Sequence, residues 1–140
     1  MKTRQALIRF NEWQVDERRK VLADLFAAVE ALERDEERLN IMTSLEQVKA
    51  AENEIGHYGY PGFAQGVIEK RHNIEHSRVE LEAQIDSAKE ALQLAYQELK
   101  KIEIMEERRK EKERRERDRR EQMELDEMAQ TRHVAKSRKG

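Results

Sequence analysis

With 140 residues, 41% of them charged, 37% hydrophobic and only one proline, the chain has the composition of long helices and coiled coil rather than of a packed globule. The absence of cysteine excludes a disulfide framework, a thiolate metal site and a thiol nucleophile. No apolar run is long enough to span a bilayer, and the residues from Met1 to Phe10 lack the continuous apolar stretch of a signal peptide, so a soluble cytoplasmic protein is expected.

The net charge of −2 hides an asymmetry: residues 1–55 carry −3, residues 56–105 carry −2 and residues 106–140 carry +3. Residues 4–55 contain neither proline nor glycine, and Thr3 stands ready as an N-cap, so a first helix is predicted over about 4–55. Ile8, Val15, Leu22, Leu25, Val29, Leu32 and Leu39 alternate steps of three and four once Asn11, Arg18 and Glu36 fill the missing places, the repeat of a left-handed coiled coil. After Leu39 the phase divides: Ile41, Leu45, Val48 and Ile55 suit one register and Met42 another, which reads as a stutter near Thr43 and Ser44.

Four of the five glycines, the only proline and three of the seven aromatics fall between Gly56 and Gly66. Glycine supplies the positive φ of a helix C-cap and proline suits a helix's first turn, so residues 56–62, with Tyr58, Tyr60 and Pro61, are predicted to form a loop. A second helix follows over about 63–128, its seam running through Ile74, Leu81, Ile85, Ala88, Leu92, Ala95, Leu99 and Ile102 with Arg71 and Arg78 in register. So short a turn leaves room only for an antiparallel return. Two alignments fit the seams, placing Leu22 opposite either Ala95 or Ile102.

Seventeen residues from Glu106 to Gln122 contain no hydrophobe. Glu106–Lys110, Glu111–Arg115, Glu113–Arg117 and Glu116–Arg120 are helix-stabilising pairs in the favourable order. This stretch reads as a solvated helix, with nucleic-acid binding and insertion into a charged partner cavity as the alternatives. Seven acids among nine bases weaken the nucleic-acid reading, because they repel phosphate. Met123, Leu125, Met128 and Val134 then partly restore amphipathicity, and a basic tail over 129–140 is expected to be flexible. The expected fold class is therefore all-α: a long antiparallel two-helix coiled-coil hairpin forming one rod over 1–140, with helix 2 overhanging helix 1.

A two-helix hairpin offers no concave site with convergent groups, so no catalytic residue and no cofactor are expected. The glycines read Gly-His-Tyr-Gly-Tyr-Pro-Gly, without the lysine and hydroxyl residue of a phosphate loop. His72 and His76 have a spacing that clamps zinc on a helix face, but without an evident third ligand they read as exposed polar residues. Aromatics off the seam are more informative. Phe10 and Trp13, with Ile104 at a similar height on helix 2, suggest either a partner surface, or a locally widened core or a patch covered by a fold-back such as Met123–Met128. Tyr60, Phe63 and Val67 form a stripe that either caps the hairpin or presents a second partner surface.

Three segments carry a resemblance that spans nearly the whole chain. Leu7-Ile8-Arg9-Phe10-Asn11-Glu12-Trp13-Gln14-Val15-Asp16-Glu17-Arg18-Arg19-Lys20 is similar to the opening of the FliJ family in its alphaproteobacterial branch. Tyr60-Pro61-Gly62-Phe63 leading to Val67 resembles the family's aromatic start of its second helix, and Glu124-Leu125-Asp126-Glu127-Met128-Ala129-Gln130-Thr131-Arg132 resembles its C-terminal Asp-Glu-hydrophobic-Ala motif. The resemblance implies a non-enzymatic stalk and adaptor of the flagellar type III export apparatus. Such a protein inserts its termini-bearing end into the export ATPase ring, promotes ring assembly and activity, links it to the export-gate membrane protein and escorts late-substrate chaperones. It implies an export-gate contact at Phe63 and Val67, with Lys70 and Ile74 on the same face but departing in residue type from the family's pattern. It assigns the ATPase-ring contact to Leu7, Ile8, Phe10, Trp13, Met123, Leu125 and Met128. The implied location is the cytoplasmic face of the inner membrane at the flagellar base, with no nucleic acid bound and no insertion into the bilayer. A nucleic-acid-binding coiled coil using residues 108–120 and 132–139, and a generic homo-oligomeric scaffold, are the competing classes; the export reading expects largely monomer.

Overall fold

Two helices account for the entire described backbone in a computed structural model: α1, Lys2–Glu52, and α2, Glu54–Lys139. The structure describes residues 2–52 and 54–139, with the side chains of 3–52 and 58–138. The helices pack against each other, so the chain is an all-α hairpin. It divides into two compact units, a terminal unit of Met1–Asn11 with Gln97–Gly140 and a hairpin unit of Glu12–Tyr96.

The hairpin unit is held by one seam. Val15, Leu39, Val67, Ile85 and Ala88 are its most buried apolar residues. Leu22, Leu25, Val29, Leu32 and Glu36 are half-buried beside them. Among the described residues no large side chain is completely buried, as expected when two helices share one interface and each core residue keeps a flank in solvent. Burial of such residues, at about 1.5–3 kcal/mol for a fully covered side chain, is the main stabilising contribution and is only partly realised here.

The expected stutter is absent. Thr43, Glu46 and Ala50 are half-buried and continue the steps of three and four from Leu39, whereas Ile41, Met42, Leu45 and Val48 are exposed. Thr43 stays in the seam because its hydroxyl donates to the Leu39 carbonyl at 2.6 Å, satisfying the polar atom within its own helix. Ser44 donates to Asn40 in the same manner at 3.1 Å. The inner register is thus kept with polar and small residues, and the hydrophobes lie outside it.

The loop predicted over 56–62 is helical. α2 begins at Glu54 and carries Pro61 inside it, and no glycine among the described residues has positive φ. Glycine allows the α region as readily as its mirror image, and proline's fixed φ fits a helix. What proline costs is the hydrogen bond its missing N–H would have given to the carbonyl of residue 57. Contacts inside the unit hold the segment: Gln47 Nε2 donates to Tyr60 Oη at 3.1 Å, and the Tyr60 and Phe63 rings lie 6.4 Å apart at 38°. The first helix ends at Glu52, not near residue 55, and the second begins at Glu54, with Asn53 outside the described residues.

The pairing differs from both alignments read from the seams. Glu36 bonds Arg78, and Leu25 shares a cleft with Ala88, about one helical turn from the alignment that set Leu22 opposite Ala95 and about three turns from the one that set it opposite Ile102. The Arg78 guanidinium pKa is raised, chiefly by its hydrogen bond to Glu36 and then by that carboxylate's charge. At the other end Thr3, expected as an N-cap, lies inside the first turn, because the helix starts at Lys2.

In the terminal unit, Leu99 and Asn11 are the most buried residues. Asn11 tolerates burial because its side-chain amide donates to the Leu7 carbonyl at 2.8 Å. From Lys112 to Arg138 every residue is exposed, so α2 continues there without a facing helix. Residues 129–139 are helical instead of an irregular tail, with the Thr131 hydroxyl donating to the Glu127 carbonyl at 2.9 Å and no glycine or proline to interrupt. Among the described residues no helix is long and apolar enough to cross a membrane.

Candidate functional site

The first turns of α1 meet α2 across a cleft of about 720 Å³ in the terminal unit. Leu7, Ile8, Phe10, Ile102 and Met105 give it an apolar floor, and Arg4, Glu98, Lys101, Glu106 and Arg109 line it with charge. The amphipathic pitch explains the composition: Ile8 and Ile102 are seam positions turned inward, while Leu7, Phe10 and Met105 flank the seam and remain exposed.

An ion-pair chain closes the cleft on its α2 side. Arg109 donates to Glu106 at 2.6 and 3.1 Å and to Glu113 at 2.5 Å. The hydrogen bond from Arg109 holds the Glu106 carboxyl below its ordinary value, helped by the nearby charges of Arg109, Arg4 and Lys110. The Arg109 pKa is raised in turn, first by that bond to Glu106. One turn further, Glu111 accepts from Arg114 at 2.7 Å and Arg115 at 3.3 Å, and its carboxyl is lowered chiefly by the Arg114 bond. Of the four pairs expected here Glu111–Arg115 forms, while Glu106 and Glu113 take Arg109, whose planar fork reaches both carboxylates.

The residues assigned to an ATPase ring separate into groups. Leu7, Ile8 and Phe10 line the cleft. Met123, Leu125 and Met128 do not; they are exposed on the later, unfaced part of α2, which does not fold back over Phe10. Ile104 is exposed in the terminal unit, and Trp13 is 56% exposed in the hairpin unit.

The residues assigned to an export gate also differ among themselves. Phe63 and Ile74 are half-buried, Lys70 is exposed, and Val67 is 7% exposed, part of the core. Val67 therefore belongs to the core of the hairpin unit, and Tyr58 and Ile68, on other sides of α2, are exposed. Of the loop residues, Tyr58 and Pro61 are exposed and Tyr60 is tied to Gln47.

Sequence reasoning missed Met105, Arg4 and Arg109 as lining of the cleft. Extending the seam from Ile102 through Glu106 to Arg109 would have found the last of them. His72 and His76 are exposed, His76 contacts Glu80 at 3.3 Å, and among the described residues no group of three or more His, Cys, Asp or Glu is placed to hold a metal.

The comparisons with known proteins agree with the motifs. Searches against curated proteins and against solved structures returned no match. The family model described as flagellar FliJ protein matches residues 1–138, nearly the entire chain and both faces described above, and the chain belongs to that family.

Proposed function

We propose that this component of flagellar export acts as a stalk and adaptor: it enters the export ATPase ring, promotes ring assembly and activity, and links the ring to the export-gate membrane protein and to late-substrate chaperones. It does this without catalysis, at the cytoplasmic face of the inner membrane. The observation that carries the reading is the terminal unit's division of labour. A long, unfaced, charged helix bearing Met123, Leu125 and Met128 belongs to the same unit as an apolar cleft formed by Leu7, Ile8 and Phe10. Exposed hydrophobes on so charged a helix are expected where a partner covers them. Interleaved acids along the same helix disfavour nucleic acid as that partner.

The test is ATP hydrolysis by the cognate export ATPase with the purified chain added. Stimulation is expected from the intact chain, and a chain lacking residues 123–140 should stimulate less while unfolding at nearly the same temperature. Absence of stimulation by a correctly folded chain would refute the reading. For the gate, Phe63→Ala should weaken capture of the gate protein's cytoplasmic domain with helicity intact, whereas unchanged capture removes Phe63 from the contact.

A further inference from the structure

α1 carries a second row of residues at seam spacing; Ile41, Leu45 and Val48 lie on the side away from α2, while Arg38 and Met42 at its edge also border Lys70, Asn73 and Ile74 of α2 across a cleft. In the hairpin unit, Arg38, Ile41, Leu45, Val48 and Glu52 follow one another in alternating steps of three and four, the spacing of a helix-pairing face. Ile41, Leu45 and Val48 are 54%, 58% and 54% exposed, with Met42 beside them at 50%. The inner seam over the same turns is filled by Thr43, Glu46 and Ala50, so these hydrophobes are not needed to hold α1 to α2. In a chain with 41% charged residues, the ten positions from Leu39 to Val48 contain one charge, Glu46. So local a loss of charge on an exposed face points to contact with another apolar face.

We infer that this face pairs with the same face of a second copy of the chain, antiparallel and centred on Leu45. The charge pattern selects this occupant. About such a two-fold axis Leu45 meets its own counterpart, Ile41 and Val48 lie level with each other, and Arg38 at one end is brought level with Glu52 at the other. The Arg38–Glu52 pair therefore occurs twice and joins opposite charges, whereas a parallel pairing sets Arg38 against Arg38 and Glu52 against Glu52. Both charged residues are exposed, and Arg38 makes a long contact of 3.5 Å to Asp35 within its own chain. The hairpin already contains a bond of this kind across its inner seam, between Glu36 and Arg78.

Four half-exposed side chains per copy make a small interface, so the association is weak and reversible. The chain is a monomer when dilute and dimeric when crowded. Pairing through the outer side of α1 leaves the terminal unit's cleft unused.

Sedimentation of the isolated full-length chain over a hundredfold range of concentration tests the proposal. The weight-average mass is expected to rise from 16.7 kDa toward twice that value. Leu45→Lys should abolish the rise with helicity unchanged. Arg38→Glu and Glu52→Arg should each weaken association several-fold, and the two together should restore it, a rescue that a general loss of stability cannot produce. A mass constant with concentration overturns the proposal, as does failure of the double swap to rescue. Constant mass combined with loss of gate-domain capture in Leu45→Lys overturns it too and gives the face to a different protein. No ATPase is present in the sedimentation measurement, so its failure leaves the export reading standing.

Discussion

Two stretches of α2 remain helical for different reasons. Between Val67 and Ala88, in the hairpin unit, the helix is held by apolar side chains buried against α1. Between Glu106 and Arg138, in the terminal unit, hydrophobic burial contributes almost nothing and the earlier turns are threaded by Arg–carboxylate pairs. Burial is worth more per residue but consumes the surface that provides it. Exposed pairs are individually weak, worth a few tenths of a kcal/mol in model helices, yet they leave the surface open to a partner. A protein that must remain folded and still present a long helix to an assembly gains from having both arrangements on one helix.

The largest expected effect tests the buried half. Leu39→Ala, at a residue 6% exposed, should lower stability by about 2–3 kcal/mol in urea unfolding followed by circular dichroism. Met128→Ala, on the exposed half, should change it by less than about 0.5 kcal/mol while reducing stimulation of the export ATPase. Similar stability costs at both positions would erase the contrast.

How much of this was legible beforehand follows the same division. The buried seam was readable because a period of 3.5 residues is a direct consequence of two helices sharing one interface, and Val15, Leu39, Ile85, Ala88 and Leu99 all lie where that period puts them. Past Leu39 the reading failed because it followed hydrophobicity, whereas the seam runs through Thr43, Glu46 and Ala50 and leaves Ile41, Leu45 and Val48 outside. The turn was misplaced because glycine and proline mark where a helix is weak, not where it must end. Of the candidate contacts, Leu7, Ile8 and Phe10 were brought to one cleft; the unbroken run of α2 to Met128 was legible in the i,i+4 pairs, whereas whether Met123–Met128 returned over Phe10 was not, because an amphipathic stripe suits either arrangement.

Glycine substitution gives an intermediate effect with a decisive sign. A Cβ built on Gly59, Gly62 or Gly66 meets nothing within 4 Å, and none of the three has positive φ. Replacing Gly62 or Gly66 with alanine should therefore stabilise the hairpin unit by about 0.5–1 kcal/mol each, through lower unfolded-state entropy and better helix propensity. Thermal unfolding reads the shift. Destabilisation at Gly62 would mean that the segment turns in solution, with the reversal moved back toward Pro61.

The smallest effect is confined to the charged turns and depends on pH. The carboxyls of Glu106 and Glu111 are held below their ordinary value of 4.5, chiefly by hydrogen bonds from Arg109 and Arg114. A depressed folded-state pKa means that the pairing stabilises the helix fully above about pH 4.5 and that this contribution is lost as the pH falls through the lowered values. Amide hydrogen exchange should therefore show residues 106–115 losing protection below about pH 4 relative to the buried stretch around Ile85, after correction for intrinsic exchange rates. High salt at neutral pH should loosen the same turns by screening, again with little change at Ile85. Loss of protection at both places together would mean that the charged turns are held by the fold as a whole, and the distinction between a buried and a paired half of α2 would fail.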